Sequence, residues 1–358
     1  MNFNKTIPII IPSLEPDERL FPLLKGLKEL HINNIIIVND GSPGEYDHFF
    51  QKAKELYGCT VLKHYVNLGK GRALKDAFNY CLENFPNLLG CITADSDGQH
   101  KPEDIQKCIH ALLKNENSLI LGCRDFSANH VPFKSKFGNK LTRKICKWLC
   151  GVNVTDTQTG LRAIPKEFMV HLLNVPGERF EFETNMLLET ATGKNKIDIK
   201  EITIQTVYDS KENHITHFDP IKDSIKIYKI FGRIFGKFII SSMSSCILDL
   251  LLFTFFCKLL GSFSRAIYAA LATILARVIS ATYNYFINYK VVFKSGEGIQ
   301  KTSLKYFCLA IIQMGSSAGL VAIGVLLFKE SSELFVKVIV DTVLFLLSYW
   351  IQRTFIFN

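Results

Sequence analysis

The sequence predicts a soluble α/β domain built on a parallel sheet, followed by an all-α domain of four membrane-spanning helices. Three observations carry this reading. Short, nearly continuous apolar runs alternate with helical patterns through the first half of the chain. A polar or glycine-containing turn follows each of those runs. Charged residues are frequent up to about residue 237 and scarce afterwards, where apolar stretches near the ~20 residues of a bilayer core take over. At 358 residues there is room for two or three domains; the 48% hydrophobic content and net charge of +9 decide little until their distribution is considered.

The first apolar run, residues 7–11 (IPIII), is too short and too broken by Pro8 and Pro12 for a signal peptide, so the first domain is expected to be cytosolic. Further runs cover 34–38, 60–63, 88–94 and 118–123. Between them, Glu18 to Leu30 and Arg72 to Leu82 place apolar residues at three and four spacing. This alternation gives a parallel sheet with helices on both faces, and ligands bind such sheets outside the carboxyl ends of the strands. Ten cysteines without a C-x-x-C pair read as small core residues, with no zinc site and no disulfide framework.

The polar residues gather at three strand ends. After the first strand comes Pro12-Ser13-Leu14-Glu15-Pro16-Asp17-Glu18, after the second Asn39-Asp40-Gly41-Ser42, after the fourth Asp95-Ser96-Asp97-Gly98-Gln99. Alone, "NDGS" is equally a plain turn. Two carboxylates one residue apart at the end of a buried strand repel each other unless something cationic is present. Asp95, Asp97 and the amide oxygen of Gln99 are hard oxygen donors of the kind Mg²⁺ or Mn²⁺ takes, and the ion would hold a diphosphate as well. In Asn67-Leu68-Gly69-Lys70-Gly71-Arg72-Ala73-Leu74, two glycines and two cations open a helix, where free N–H groups, Lys and Arg suit phosphate; the spacing is not that of a P-loop. Arg124 is a further cation directly after the fifth strand.

The ordered set PSLEPDE, VNDGS, NLGKGRAL, ADSDGQH, DTQTGLR and RFEFE resembles the inverting GT-A glycosyltransferases of family 2. Within that family it is similar to the polyprenyl-phosphate hexosyltransferases, the group of dolichol-phosphate mannose synthases and bactoprenol glucosyltransferases. The resemblance covers roughly residues 5 to 215. It implies a Rossmann-like GT-A fold in which Pro12, Glu15 and Asp40 hold the nucleoside, with Asn67 and Lys70 also on the substrate. Asp95, Asp97 and Gln99 would take the metal and Arg124 a phosphate, while Asp156, Gln158 and Arg162 form the acceptor-side loop.

Inverting transfer requires an in-line nucleophile, stabilisation of the leaving group and support for oxocarbenium-like charge. A phosphomonoester acceptor, with a second pKa near ~6, is largely dianionic at neutral pH and needs cations more than a general base. Arg124, Arg143 and Arg162 are the candidates, beside Asp97 and its metal. Glu181 and Glu183 either face the sugar or orient those arginines; an exposed acidic pair on a strand is the plainer alternative. His214 and His217 are expected to touch phosphate near the membrane, or else to be ordinary surface histidines.

From Pro220 onward, Lys222, Lys226, Lys229, Arg233 and Lys237 form a basic stripe at helical spacing, the pattern of a helix lying in an anionic headgroup layer. Apolar segments follow at about 238–260, 266–289, 305–328 and 334–357. Lys290, Lys294, Lys301 and Lys305 crowd the middle connection, so this loop and both termini are expected to be cytosolic. Segments two and four end alike, in YFINYKVVF and YWIQRTFIF, an internal repeat of helical pairs that aligns Arg277 with Asp341 and suggests an ion pair between them. The layout resembles the GtrA-like membrane domain over about residues 236 to 358.

The expected organisation is therefore a GT-A domain over 1–215, an interfacial amphipathic helix over 216–237 and a four-helix membrane domain over 238–358. The expected activity is transfer of a hexose from GDP-mannose or UDP-glucose to a polyprenyl phosphate, with Mg²⁺ or Mn²⁺. Membrane and lipid are the expected partners, nucleic acid is not, and self-association is open. Two alternatives stand beside this reading: another lipid or glycan acceptor, and a glycolipid-translocating protein whose soluble domain binds nucleotide.

Overall fold

The computed structural model describes residues 5–124, 133–191, 196–205, 222–260, 265–327 and 333–357. The chain divides into two compact units. One comprises residues up to Lys147, Val152–Ala191 and Asn195–Lys229; the other takes Trp148–Gly151, Thr192–Lys194 and Ile230–Asn358.

The first unit is a seven-stranded sheet of β1 (Ile9–Ser13), β2 (Ile35–Asn39), β3 (Thr60–Lys63), β4 (Gly90–Thr93), β5 (Leu119–Arg124), β6 (Arg162–Pro165) and β7 (Ile199–Ile204), in the order β3-β2-β1-β4-β6-β5-β7. Ile9, Ile10 and Ile11 are fully buried, as are Leu119, Ile120 and Leu121, because helices cover both faces; continuous apolar runs are what that position requires. Each such side chain contributes about 1.5–3 kcal/mol by leaving water. The sheet is not wholly parallel: β6 runs antiparallel to both β4 and β5. It enters from the loop that carries DTQTGLR and inserts between two strands pointing the other way, so Arg162 opens a central strand opposite Thr93 rather than lying in a loop.

The covering helices are α1 (Leu20–Glu29), α2 (Asp47–Tyr57), α3 (Lys70–Asn84), α4 (Pro102–Lys114), α5 (Phe133–Ile145), α6 (Lys166–Leu172) and α7 (Glu181–Thr190). In α3, Ala73, Leu74, Ala77, Phe78 and Cys81 form the buried stripe that three and four spacing predicts. RFEFE enters the first turn of α7, not an exposed strand. The seven cysteines from Cys59 to Cys150 are buried free thiols; burial pushes Cys59 up to about 11 and Cys81 and Cys108 up to about 12, the behaviour of inert core residues.

The remaining helices are α8 (Lys222–Leu259), α9 (Arg265–Ile287), α10 (Ile299–Leu327) and α11 (Glu333–Ile351), which from Ile230 onward make up most of the second unit. The basic stripe and the first apolar segment are one continuous helix, α8. Among the described residues, Tyr228–Leu259, Ile299–Val321 and Val338–Ile356 are long and apolar enough to cross a membrane. The repeat has a physical axis: Asn288 donates to Gln352 at 3.0 Å, and these residues sit 64 positions apart. π-helical turns Asn288–Val292 and Gln352–Ile356 begin at that pair, and the rings of Phe293 and Phe357, equivalent in the repeat, stack with centroids 5.2 Å apart.

The expected pairing of Arg277 with Asp341 is replaced by another. Arg277 lies 3.5 Å from Asp249 on α8, a carboxylate that also accepts from Ser280 at 2.7 Å. Asp341 accepts from Ser317 on α10 at 2.6 Å. At these two equivalent positions each side chain faces the partner helix of its own pair, which keeps each carboxylate satisfied within a helical hairpin. The Asn288 and Gln352 amides make a buried polar contact across the pairs, and Asn288→Ala and Gln352→Ala should each lower the thermal midpoint of the detergent-solubilised protein. Their double variant should cost less than the sum by about 0.6 kcal/mol of coupling, while Leu347→Ala on the exposed side leaves the midpoint unchanged.

Candidate functional site

Three strand ends and two helix starts meet at the carboxyl edge of the first unit. Register sets this up: Ser13 lies opposite Asn39 and Ile10 opposite Thr93, so the loops after β1, β2 and β4 open side by side. Glu15 adopts a left-handed backbone with φ 49°, and its N–H donates to Ser42 at 2.9 Å, tying the first two loops together. Its side chain is exposed, whereas Pro12 is buried in β1.

Asp40 is buried and its carboxylate is heavily used. It accepts from the N–H groups of Leu68 at 3.0 Å and Gly69 at 2.8 Å, and from His64 Nδ1 at 2.8 Å. The other ring nitrogen of His64 lies 3.1 Å from Asp76. Asp40 thus anchors the turn leading into α3, a role the sequence does not announce because His64 and Asp76 carry no motif.

The centre of the edge is a charge cluster. Lys70, at the start of α3, places its ammonium 2.7 Å from Asp95 and 3.1 Å from Glu183 in the first turn of α7. Burial works against the Asp95 charge, but Lys70, then His100 and Arg124, outweigh it and hold the carboxyl down to about 2. Asp97 moves the other way: burial and the Asp95 charge raise it, against the N–H of Gln99, which donates to Asp97 at 3.0 Å. Lys70 is raised: burial opposes its charge, yet the two carboxylates prevail.

Two glycines permit this convergence. Gly69 has φ 103°, and a Cβ there would lie 2.4 Å from the carbonyl oxygen of Glu178. The RFEFE segment therefore packs directly on the turn before α3, with Glu178 bridging Arg72 at 2.8 Å and Lys75 at 2.9 Å. At Gly160 a Cβ would fall 2.3 Å from an Asp95 carboxylate oxygen, so DTQTG reaches the same carboxylate from the opposite side.

Arg124 is held by the fully buried Asp156 through Nε at 2.7 Å and Nη2 at 3.1 Å. With Asp95, Gln99, His100 and the exposed Gln158, it lines a small open pocket. Arg143, exposed on α5, donates from Nε to the carbonyl of Val154 at 3.0 Å. Asn67 is exposed and accepts from Arg179 at 3.4 Å.

Arg162 departs from the expectation of an acceptor-facing cation. It is fully buried and donates to the carbonyls of Thr159 at 2.9 Å and Glu183 at 2.7 Å, because β6 is a central strand covered on both faces. Burial lowers its pKa against the pull of Glu183, Asp156 and Asp95, which places a positive charge behind the carboxylates. His217 and His214 lie outside the described residues. His100, whose Nδ1 accepts from the Asp95 N–H at 3.1 Å, and Glu178 are site residues that motif reading passed over; "QH" after D-x-D was the available signal for the first.

A divalent cation fits this edge. Lys70 already stands where Asp95 seeks positive charge, and burial together with the Asp95 charge raises Asp97. No group of three or more His, Cys, Asp or Glu among the described residues is arranged to hold an ion. The edge thus offers one or two carboxylates, the usual protein share for Mg²⁺ when phosphate oxygens and water supply the rest.

Residues 9–171 match the family model "Glycosyl transferase family 2", and residues 234–357 match "GtrA/DPMS, transmembrane domain". A UDP-N-acetylglucosamine–dolichyl-phosphate N-acetylglucosaminyltransferase of Methanococcus voltae is 29% identical over 225 residues, 57% of this chain and 87% of that protein. An uncharacterized protein of Methanocaldococcus jannaschii is 28% identical over 204 residues, 56% of this chain and 81% of that one. Among solved structures, mannosyl-3-phosphoglycerate synthase from Rubrobacter xylanophilus aligns with a TM-score of 0.43 and 14% identity over 62% of this chain and 70% of that one.

Removing Lys70 leaves Asp95 and Glu183 facing each other, and Lys70→Met should destabilise the protein by about 3 kcal/mol at pH 7. The sign follows from Asp95: its depressed pKa contributes stability that is complete above about 4 and lost as pH falls through about 2. Without Lys70 that contribution disappears, so the gap between variant and wild type should narrow as pH drops from 7 towards 3, measured by denaturant unfolding of the full chain.

Proposed function

We propose that this chain, whose two parts match the models of a family 2 glycosyl transferase and of a GtrA/DPMS transmembrane domain, transfers a sugar, with inversion, from a nucleotide sugar to a polyprenyl phosphate at the cytosolic membrane face. The carrying observation is the convergence of Lys70, Asp95, Glu183 and the Asp156-braced Arg124 on one edge, in a chain with membrane-spanning helices. The dolichyl-phosphate substrate of the Methanococcus voltae relative supports the acceptor class, and its UDP-N-acetylglucosamine joins UDP-glucose and GDP-mannose as a donor to be tested.

In this reading the soluble domain spans residues 1–215 and the membrane domain 238–358, with the middle loop and both termini cytosolic. Asp95 and Asp97, with Gln99, would hold Mg²⁺ or Mn²⁺, and the bound ion would neutralise charge on the departing nucleoside diphosphate. Glu15 and Asp40 border the nucleoside. Lys70, within reach of the same carboxylate, carries positive charge to the diphosphate. Arg124 binds the acceptor phosphate, and Asp156 fixes its guanidinium so that little ordering is lost on binding. Arg143 and Gln158 border the acceptor side. Arg162 is a positioning residue: it holds the carbonyl of Glu183, and so the first turn of α7, against the charge cluster.

The test is direct. Detergent-purified protein, undecaprenyl or dolichyl phosphate, Mn²⁺ and each of the three donors are incubated separately, and lipid-phosphate-sugar is sought by mass spectrometry. Product from one donor, lost on chelation and reduced at least about 100-fold in Asp97→Asn with an unchanged melting midpoint, is the expected outcome. Product that persists in Asp97→Asn would overturn the assigned metal site, and no product from any donor would overturn the acceptor assignment.

A further inference from the structure

The loop between β3 and α3 holds side chains with no role in the site described above. Tyr65 is fully exposed, and Val66 and Leu68 beside it are 62% and 42% exposed. A single apolar residue on a surface needs no explanation, but three among four consecutive residues do.

The loop is fixed at both ends. The His64 N–H donates to the Asn39 carbonyl at 2.8 Å, and the His64 ring pairs with the Asp40 carboxylate. Leu68 and Gly69 donate their N–H groups to that same carboxylate. Between these anchors the backbone lies directly on the turn after β2, where a Cβ on Gly41 would collide with the Val66 backbone. Tyr65 and Val66 are therefore presented from a rigid frame, beside the acid that borders the nucleoside.

A nucleoside asks two things of such a place, polar partners for the edge of its base and a flat surface for the ring. Asp40 meets the first only in part. A carboxylate has about four acceptor positions, and His64, Leu68 and Gly69 fill three of them. The flat surface is missing from the neighbouring loops: Pro12 to Glu18 and Asn39 to Gly44 contain no aromatic ring, and Tyr46 just beyond packs on the core and stacks with Phe49. Tyr65 supplies it, a ring in the open on the residue that follows the one pairing with Asp40.

We infer that Tyr65 is the stacking platform for the nucleobase of the sugar donor, with Val66 extending its apolar surface. The inference rests on the nucleotide-sugar reading above and adds to it the residue that holds the base. Every base has a π face, so the platform strengthens binding of the nucleoside without choosing between uracil and guanine; that choice falls to contacts along the base edge.

Isothermal titration calorimetry of UDP and of GDP into the full-length protein with Mn²⁺ tests this, with inorganic pyrophosphate as the ligand that has the phosphates and no base. For whichever nucleotide the wild type binds, Tyr65→Ala should raise Kd about tenfold, while Tyr65→Phe and Tyr65→Trp stay within about twofold. Pyrophosphate affinity should be the same in every variant. In Tyr65→Trp the added indole fluorescence should be quenched by the nucleotide and not by pyrophosphate. Tyr65→Ala that binds the nucleotide as wild type does would overturn the inference and leave the nucleotide-sugar reading in place. So would an equal loss of pyrophosphate affinity, since that marks a collapsed loop. Wild type that binds neither UDP nor GDP would overturn both.

Discussion

The arrangement of the carboxyl edge depends on one contact, the Lys70 ammonium between Asp95 and Glu183. Asp95 ends a buried strand, Glu183 opens a helix more than eighty residues later, and neither has another lysine within ion-pair distance among the described residues. Without a cation the two acids and Asp97 would repel across a poorly solvated loop. With it, α3, α7 and the D-x-D loop are drawn together, and the glycines at 69 and 160 are required because backbone and carboxylate approach too closely for a Cβ. A second layer repeats the logic: Glu178 gathers Arg72 and Lys75, and Asp156 orients Arg124.

An edge built this way is polarised before any substrate arrives. Asp95 is kept ionised while Asp97 is pushed towards protonation, so the loop presents unequal carboxylates beside the doubly paired Lys70 ammonium. A divalent ion held by these carboxylates would offset the charge repulsion that, with burial, raises Asp97, and Lys70 would stand beside it as a second cation. The buried Arg162 adds a fixed positive field behind both. In the helical unit, by contrast, polar groups are satisfied in place: Asn288 with Gln352, Asp249 with Ser280 and Arg277, Asp341 with Ser317.

Much of this was legible in the sequence, for identifiable reasons. Ile9–Ile11 and Leu119–Leu121 read as buried strands because both sheet faces are covered. Asp95-Ser96-Asp97 read as a cation site because like charges at a strand end need compensation. The position of Lys70 at a helix start was evident, but its partners were not, since Asp95 and Glu183 reach it only through packing distant in sequence. β6 was missed because four residues inside DTQTGLRAIP carry no periodicity, and with it the burial of Arg162. Glu181 and Glu183 read most plainly as a pair on a strand because alternating Phe and Glu has the strand period, yet they stand in the first turn of α7. The repeat in the last helices was visible as matching YFINYKVVF and YWIQRTFIF, yet alignment alone paired Arg277 with Asp341; the equivalent residues meet at Asn288 with Gln352 and Phe293 with Phe357, whereas Arg277 and Asp341 each turn to the partner helix of their own pair.

The central claim is that the Asp95 and Asp97 loop is a cation site which Lys70 guards and a diphosphate completes. Electron paramagnetic resonance of Mn²⁺ titrated into the full-length protein, alone and with a nucleoside diphosphate, addresses it without any need for the acceptor. The account predicts weak binding alone, tighter binding with the diphosphate, and loss of the bound signal in both Asp95→Asn and Asp97→Asn. Mn²⁺ that binds equally well to wild type and to both variants, with or without the diphosphate, would contradict it.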